Sequence, residues 1–161
     1  MKIYKIGIIG CGGIAQKMAA TLEKMKGVER YAVASRNQEK AEAFANKWGF
    51  TKAYGSYEEL ASDPEVDLIY IATPHAMHYD NAHMCIEKGK PVLCEKAFTA
   101  NARQAEDLLA FAKEKGVFIT EAIWTRYMPL SLKIQELLKE GVIGTPYTLS
   151  ANLSYPISNK E

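Results

Sequence analysis

The first fifteen residues constrain the fold most. Ile3 to Ile9 is a short isoleucine-rich apolar run that breaks abruptly at Gly10-Cys11-Gly12-Gly13. From Ala15 the apolar positions Met18, Ala19, Leu22 and Met25 recur at helical spacing up to Gly27. A strand buried on both faces that turns through glycines straight into an amphipathic helix is the opening of a βαβ unit. The rest of the chain repeats the alternation. Strands are predicted at Glu29 to Ala34, Val66 to Ala72, Pro91 to Cys94 and Val117 to Ala122. Helical faces fall between them: Ala41, Phe44, Ala45 and Trp48; Tyr79, Ala82, Cys85 and Ile86; Ala105, Leu108, Leu109 and Ala112. Ser56 with Glu59 has the spacing of a capping box for a short helix, and Pro129 suits the first position of a last one running to Glu140. The expected class is α/β, a doubly wound parallel sheet of the Rossmann kind with right-handed crossovers.

The end of the chain departs from this pattern. Tyr147, Leu149, Ala151, Leu153 and Tyr155 are apolar, and the residues between them are polar. Period-two alternation describes a strand with one wet face, from an open antiparallel sheet, and such a strand needs partners. The expected division is therefore a nucleotide-binding domain over residues 1–144 and the first strand of an incomplete α/β domain over 145–161. The alternative is an edge strand added to the first sheet.

Several function classes are set aside by composition. Among 161 residues, Lys+Arg number 20 and Asp+Glu 19, a net charge of +1 that offers nucleic acid or an anionic membrane no particular attraction. No apolar run approaches the ~20 residues that span a bilayer. The three cysteines, Cys11, Cys85 and Cys94, are odd in number and lack metal-binding spacing. A disulfide framework is thus not expected, and a reduced, cytoplasmic protein is.

Gly10-Cys11-Gly12-Gly13-Ile14-Ala15 fits G-x-G-x-x-A. The first glycine permits the turn, the second lets a diphosphate approach the backbone, and Ala15 lets the helix pack closely on the strand. Free N–H groups and the helix dipole then face the phosphates. The alternative is a glycine-rich turn with no ligand. A cofactor with a free ribose 2′-hydroxyl favours Asp or Glu at the end of the second strand, but this sequence has Ser35-Arg36, with Lys40 one turn later. A hydroxyl followed by a planar guanidinium suits a 2′-phosphate, so NADP is expected over NAD. A solvated arginine at a helix start is the competing account. The missing carboxylate also weighs against a methyltransferase, and a short-chain dehydrogenase is set aside because no Tyr-x-x-x-Lys pair is present.

Strand C-termini face the ligand crevice in this class of fold. Thr73-Pro74 closes one strand, and His75, His78 and His83 follow with no carboxylate to complete a metal site, so no metal is expected. His78 reads either as a loop residue beside the cofactor or as an idle surface histidine. Glu95-Lys96 closes the next strand, either as an exposed ion pair or with Lys96 placed to exchange a proton. In the run from Glu121 to Pro129, Trp124 and Tyr127 read either as core or, with Thr125 and Arg126 between them, as a mixed aromatic and polar edge suited to a sugar or aromatic diol.

Taken in order, Gly10-x-Gly12-x-x-Ala15, Ala34-Ser35-Arg36, Ala72-Thr73-Pro74 with His78, Glu95-Lys96 and Glu121-Ala-x-Trp-Thr-Arg126 resemble the glucose-fructose oxidoreductase/inositol dehydrogenase/rhizopine-catabolism (Gfo/Idh/MocA) family. The likeness is to its dihydrodiol and xylose dehydrogenase branch and runs through Gly144-Thr145-Pro146. It implies a Rossmann domain followed by an α/β domain with a large open sheet, through which family dimers pair. It also implies NAD(P)-dependent oxidation of a sugar, polyol or diol hydroxyl. The implied cofactor contacts are Gly10, Gly12, Gly13, Ile14, Ala15, Ser35, Arg36, Lys40, Thr73, Pro74, His78 and Glu95. Lys96 matches the lysine of the family's Glu-Lys-Pro motif, which contacts the reacting oxygen; here Ala97 replaces the proline. Trp124 and Arg126, with Lys96, are the implied substrate contacts. Members extend well beyond this length, so the chain is expected to be the N-terminal portion of a homo-oligomeric dehydrogenase. A non-catalytic nucleotide-binding module is the alternative from another class.

Overall fold

The computed structural model describes residues 2–152 and 154. The chain divides into two compact units, Met1–Ile123 and Trp124–Glu161. The first unit runs β1 (Tyr4–Ile9), α1 (Gly13–Leu22), β2 (Val28–Ala34), α2 (Gln38–Trp48), β3 (Lys52–Tyr54), α3 (Tyr57–Ser62), β4 (Leu68–Ile71), α4 (His78–Glu87), β5 (Val92–Cys94), α5 (Ala102–Lys115) and β6 (Ile119–Glu121). The sheet order is β3-β2-β1-β4-β5-β6, with every pair parallel. The order reverses between β1 and β4, which are adjacent although two strands, β2 and β3, separate them in sequence. That switch point is where an open α/β sheet leaves a crevice.

Side chains alternate across the sheet, so each strand supplies both layers. Ile6, Ile8, Val33 and Tyr70 pack with Ala15, Ala19, Leu22 and Phe44 of α1 and α2. Ile9, Ala32, Ile69, Ile71 and Val92 pack on the other face with Leu60, Ala82, Ile86 and Leu108 of α3, α4 and α5. The strands lie between two helical layers, which explains why they read as unbroken apolar runs. Helix starts follow the sequence: Asn37 Oδ1 accepts from Lys40 N, Ser56 Oγ from Glu58 N, and Asn101 Oδ1 from Gln104 N. The edge strand β3 is not predicted, because three residues carry no readable periodicity.

In the second unit, Trp124–Tyr127 forms a 3-10 turn and Pro129–Lys139 forms α6, with Pro129 at its start as expected. The strand expected from Tyr147 does not form over its described residues. Residues 147–152 belong to no ladder, and Tyr147 and Leu149 are 94% and 85% exposed. Among the described residues no partner strand meets this segment, and a lone strand leaves its amides and carbonyls to water. It does not extend the first sheet either, all of whose strands belong to the first unit. Leu153 and Tyr155 lie outside the described residues. Among the described residues, no helix is long and apolar enough to cross a membrane.

The N-terminal edge of the sheet is fastened by Asp63, which ends α3. Its buried carboxylate accepts from Lys52 Nζ (2.9 Å), Tyr54 Oη (2.7 Å) and Glu65 N (2.9 Å). Lys90 Nζ donates to the Asp63 and Val66 carbonyls at 2.6 and 3.0 Å. Burial alone would raise the Asp63 pKa, but the hydrogen bonds from Tyr54, Lys52 and the Glu65 amide outweigh it and bring it down from 3.8 to about 2. A folded-state pKa below the unfolded one adds stability above the unfolded value and loses it as pH falls through the folded value. The shift corresponds to about 2 kcal/mol. Urea unfolding should therefore show a midpoint that drops between pH 4 and pH 2. Asp63→Asn should cost about 2 kcal/mol at pH 7 and progressively less towards pH 2.

Candidate functional site

The first crossover places backbone where a side chain would not fit. Gly10 has φ +101°, and a Cβ there would lie 2.8 Å from the Ala72 carbonyl oxygen at the end of β4. Only glycine lets β1 end this close to its neighbour. Gly12 differs: its φ of −81° is ordinary, and a Cβ would meet nothing within 4 Å. Ala15 is fully buried against the sheet. Gly13 opens α1, whose first turn carries no acidic residue and whose start has no side-chain cap. The first intrahelical donor there is Gln16 N, to the Gly12 carbonyl. The amides of Gly13, Ile14 and Ala15 therefore point out of the helix start at the positive end of its dipole. Cys11 is half-buried beside them, its thiol pKa raised by burial and its Sγ directed at the Ala34 carbonyl at 3.8 Å.

At the tip of β2, Ser35 is buried, its amide bonded to the Tyr54 carbonyl, and its hydroxyl accepts from Asn37 N at 3.4 Å. Arg36 and Lys40 are both exposed. Among the described residues neither side chain makes an ion pair, unlike Arg30, which pairs with Glu23. Two exposed cations without an ion-pair partner among the described residues thus stand at the tip of β2 and the first turn of α2.

The ends of β4 and β5 complete the site. A cleft of about 140 Å³ is lined by Ile14, Thr73, His75, Glu95 and Lys96. It joins the first turn of α1 to both strand ends, at the switch point. Thr73 is buried, with Asn81 Nδ2 donating to its Oγ1 at 3.1 Å, whereas Pro74 is exposed and precedes the 3-10 turn at His75. Glu95 is half-buried: Tyr70 Oη donates to Oε1 at 2.5 Å, and Lys96 N donates to Oε2 at 3.1 Å. Burial, together with that carboxylate, holds the Tyr70 hydroxyl protonated far above the ordinary phenol range. The Lys96 side chain is exposed on the cleft, and the Lys96–Ala97 peptide is cis.

The structure corrects the reading of His78. It is not an idle surface residue, because it is completely buried. Its Nδ1 lies 2.8 Å from the Ala97 carbonyl oxygen and its Nε2 2.9 Å from that of Thr73. Carbonyls only accept, so a neutral ring satisfies one of them and a doubly protonated ring both. His78 thus ties the two cleft-lining loops together from beneath. Sequence reasoning also missed Tyr70 and gave Glu121 no role. Glu121 Oε1 accepts from Phe98 N at 2.9 Å. A tyrosine at an otherwise aliphatic strand position was the available signal for the first. Trp124 and Arg126 are exposed on the 3-10 turn that begins the second unit. Among the described residues, no group of three or more His, Cys, Asp or Glu is arranged to hold a metal.

The sequence profile of the Gfo/Idh/MocA oxidoreductase family, NAD-binding Rossmann fold, matches residues 4–122. The chain belongs to this family. Among curated relatives, it is 44% identical to D-xylose 1-dehydrogenase (NADP(+)) of Hypocrea jecorina, over 98% of this chain and 43% of that protein. Mouse trans-1,2-dihydrobenzene-1,2-diol dehydrogenase is 41% identical over 95% of this chain and 46% of its own length. The chain thus spans less than half the length of these relatives. Among solved structures, an NAD-binding oxidoreductase from Klebsiella pneumoniae superposes with TM-score 0.83 at 34% identity, covering 88% of this chain and 40% of that one. The 3-ketoreductase KijD10 of Actinomadura kijaniata, in complex with NADP, gives 0.78 at 32% identity, covering 88% and 45%. Family membership assigns the crossover at Gly10 to Ala15 to a dinucleotide-binding fold, in agreement with its geometry.

The two glycines should separate folding from binding. Gly10→Ala should destabilise the chain by about 2–4 kcal/mol, since both φ and the Ala72 contact oppose it. Gly12→Val should leave the denaturation midpoint within about 1 kcal/mol of the unmodified chain while lowering nucleotide affinity at least about tenfold, as read by calorimetry.

Proposed function

We propose that the chain is the cofactor-binding portion of an NADP-dependent oxidoreductase that acts on a CH–OH group of a sugar, polyol or dihydrodiol. The observation that carries the reading is the cleft at the β1/β4 switch point, where the open start of α1 and the exposed Lys96 face one space. The names of the relatives, a xylose and a dihydrobenzenediol dehydrogenase, support the substrate class; the first of them and the KijD10 complex support NADP.

The residues present fit the cofactor. Gly12 and Gly13 leave open space where a diphosphate would approach, and Gly10 fixes the turn that aims it. The Gly13, Ile14 and Ala15 amides would donate to the diphosphate without competition from a capping side chain. Ser35, Arg36 and Lys40 would hold the 2′-phosphate, the guanidinium offering paired donors. Thr73, Pro74 and Glu95 would shape the nicotinamide end, with His78 fixing the two loops below. Bound NADP supplies the hydride acceptor. Lys96 Nζ would take up the proton from the substrate hydroxyl as the carbonyl forms, and it lies on the cleft as that role requires. Trp124 and Arg126 would contact the substrate's ring and hydroxyls. We assign the domain boundary near Thr145, with the rest of the substrate site on chain beyond it. The exposed Leu132, Ile143 and Tyr147 support further burial in a homo-oligomer, and three free thiols favour the cytoplasm.

Calorimetry with NADPH and NADH tests the cofactor assignment. Arg36→Ala should weaken NADPH binding by about 10- to 150-fold, the value of a charge-assisted hydrogen bond, and leave NADH within about threefold. Equal affinities of the unmodified chain for the two would end the NADP reading. In the whole enzyme, Lys96→Met should abolish turnover of xylose with NADP and retain cofactor affinity; undiminished turnover would remove Lys96 from the chemistry.

A further inference from the structure

Two carboxylates, Glu95 and Glu121, lie within reach of the segment that carries Lys96, yet among the described residues neither pairs with the Lys96 ammonium. Each is directed instead at backbone. Glu95 Oε2 accepts from the Lys96 amide at 3.1 Å, and Glu121 Oε1 accepts from the Phe98 amide at 2.9 Å. Between them, His78 Nδ1 stands 2.8 Å from the Ala97 carbonyl. Three side chains from β6, α4 and the end of β5 thus engage three consecutive residues. Behind Glu95, the buried Tyr70 hydroxyl fills the other carboxylate oxygen at 2.5 Å. Below Phe98, the Cys94 thiol, its pKa pushed up to about 12 by burial and the nearby Glu95 and Glu121 charges, remains a donor to the Phe98 carbonyl at 3.7 Å.

We propose that Tyr70, Glu95, His78 and Glu121 form a backbone clamp that presents Lys96 to the cleft. They are positioning residues. The inference rests on the oxidoreductase reading, in which Lys96 Nζ exchanges a proton with substrate. Lys96 and Ala97 are exposed and belong to no helix or strand, so no regular ladder fixes their orientation. A lysine amine lies at the end of four rotatable bonds, and a small rotation of its backbone displaces it by a large fraction of a hydrogen-bond length. Using the carboxylates on amides fixes that backbone and leaves the amine unpaired on the cleft side. An ion pair would hold the amine away from a reacting oxygen.

The clamp is tested on Glu121→Ala, Glu121→Gln and Tyr70→Phe by amide hydrogen exchange and by fluorescence of bound NADPH. Glu121→Ala should speed exchange at Phe98 by about tenfold or more, and Glu121→Gln, whose Oε1 still accepts, should restore it to within about threefold. Tyr70→Phe should speed exchange at Lys96. NADPH affinity should stay within about threefold in all three, because the diphosphate site is elsewhere, while the nicotinamide emission should change in Glu121→Ala and recover in Glu121→Gln. Unchanged exchange at Phe98 in Glu121→Ala, or a Glu121→Gln variant that behaves like Glu121→Ala, overturns the clamp. If Glu121→Ala does not fold, an unchanged Lys96 exchange rate in Tyr70→Phe overturns it instead. If the unmodified chain gives no NADPH signal, the oxidoreductase reading falls, and exchange at Phe98 still decides the clamp.

Discussion

The approach of Gly10 to the Ala72 carbonyl is the contact on which the rest of the architecture depends. Because nothing projects from Gly10, β1 and β4 end side by side, and the crossovers that leave them depart to opposite faces of the sheet. The crevice exists at that point for this reason. The open amides of α1 and the loops after β4 and β5 are brought to it by strands that have no other way to terminate. A methyl group at Gly10 would separate the strand ends and, with them, the two halves of the site.

Charge is distributed to suit this geometry. The start of α1 has neither a capping side chain nor an acid, and Arg36 and Lys40 at the neighbouring strand tip are unpaired, so positive potential collects around the crossover without being cancelled internally. Around Lys96 the arrangement is reversed. Two carboxylates are nearby, but both accept from backbone donors, and among the described residues neither forms an ion pair with the amine.

Much of this was legible in the sequence. The isoleucine run into Gly10-Cys11-Gly12-Gly13 located the first strand, turn and helix, and the absence of an acid after Ala34 pointed to Arg36 as the distinguishing side chain. The Gfo/Idh/MocA resemblance drawn from five ordered motifs agrees with the family match over residues 4–122. Tertiary properties were not legible. His78 follows a strand end at loop-like spacing, and nothing local indicates that carbonyls 5 residues behind it and 19 ahead close over its ring. Tyr70 is similar, since its partner lies 25 residues away. The alternation from Tyr147 remains an expectation about a second domain: a pattern specifies which face of a strand would be buried but cannot supply the neighbouring strand it pairs with, and the described residues 147–152 pair with none.

The Asp63 knot lies at the edge of the sheet opposite the crevice, where β3, β4 and β5 begin, joining Lys52, Tyr54 and the Asp63–Val66 turn to Lys90. Fastening at one rim and recognition at the other make the two separately variable in descent. On the proposed reading, substitutions at the exposed Arg36 or Lys40 would retune which nucleotide is accepted without drawing on the margin that keeps the scaffold folded. A lineage carrying this layout can change its cofactor economy by drift at a few exposed positions and keep its foundation intact.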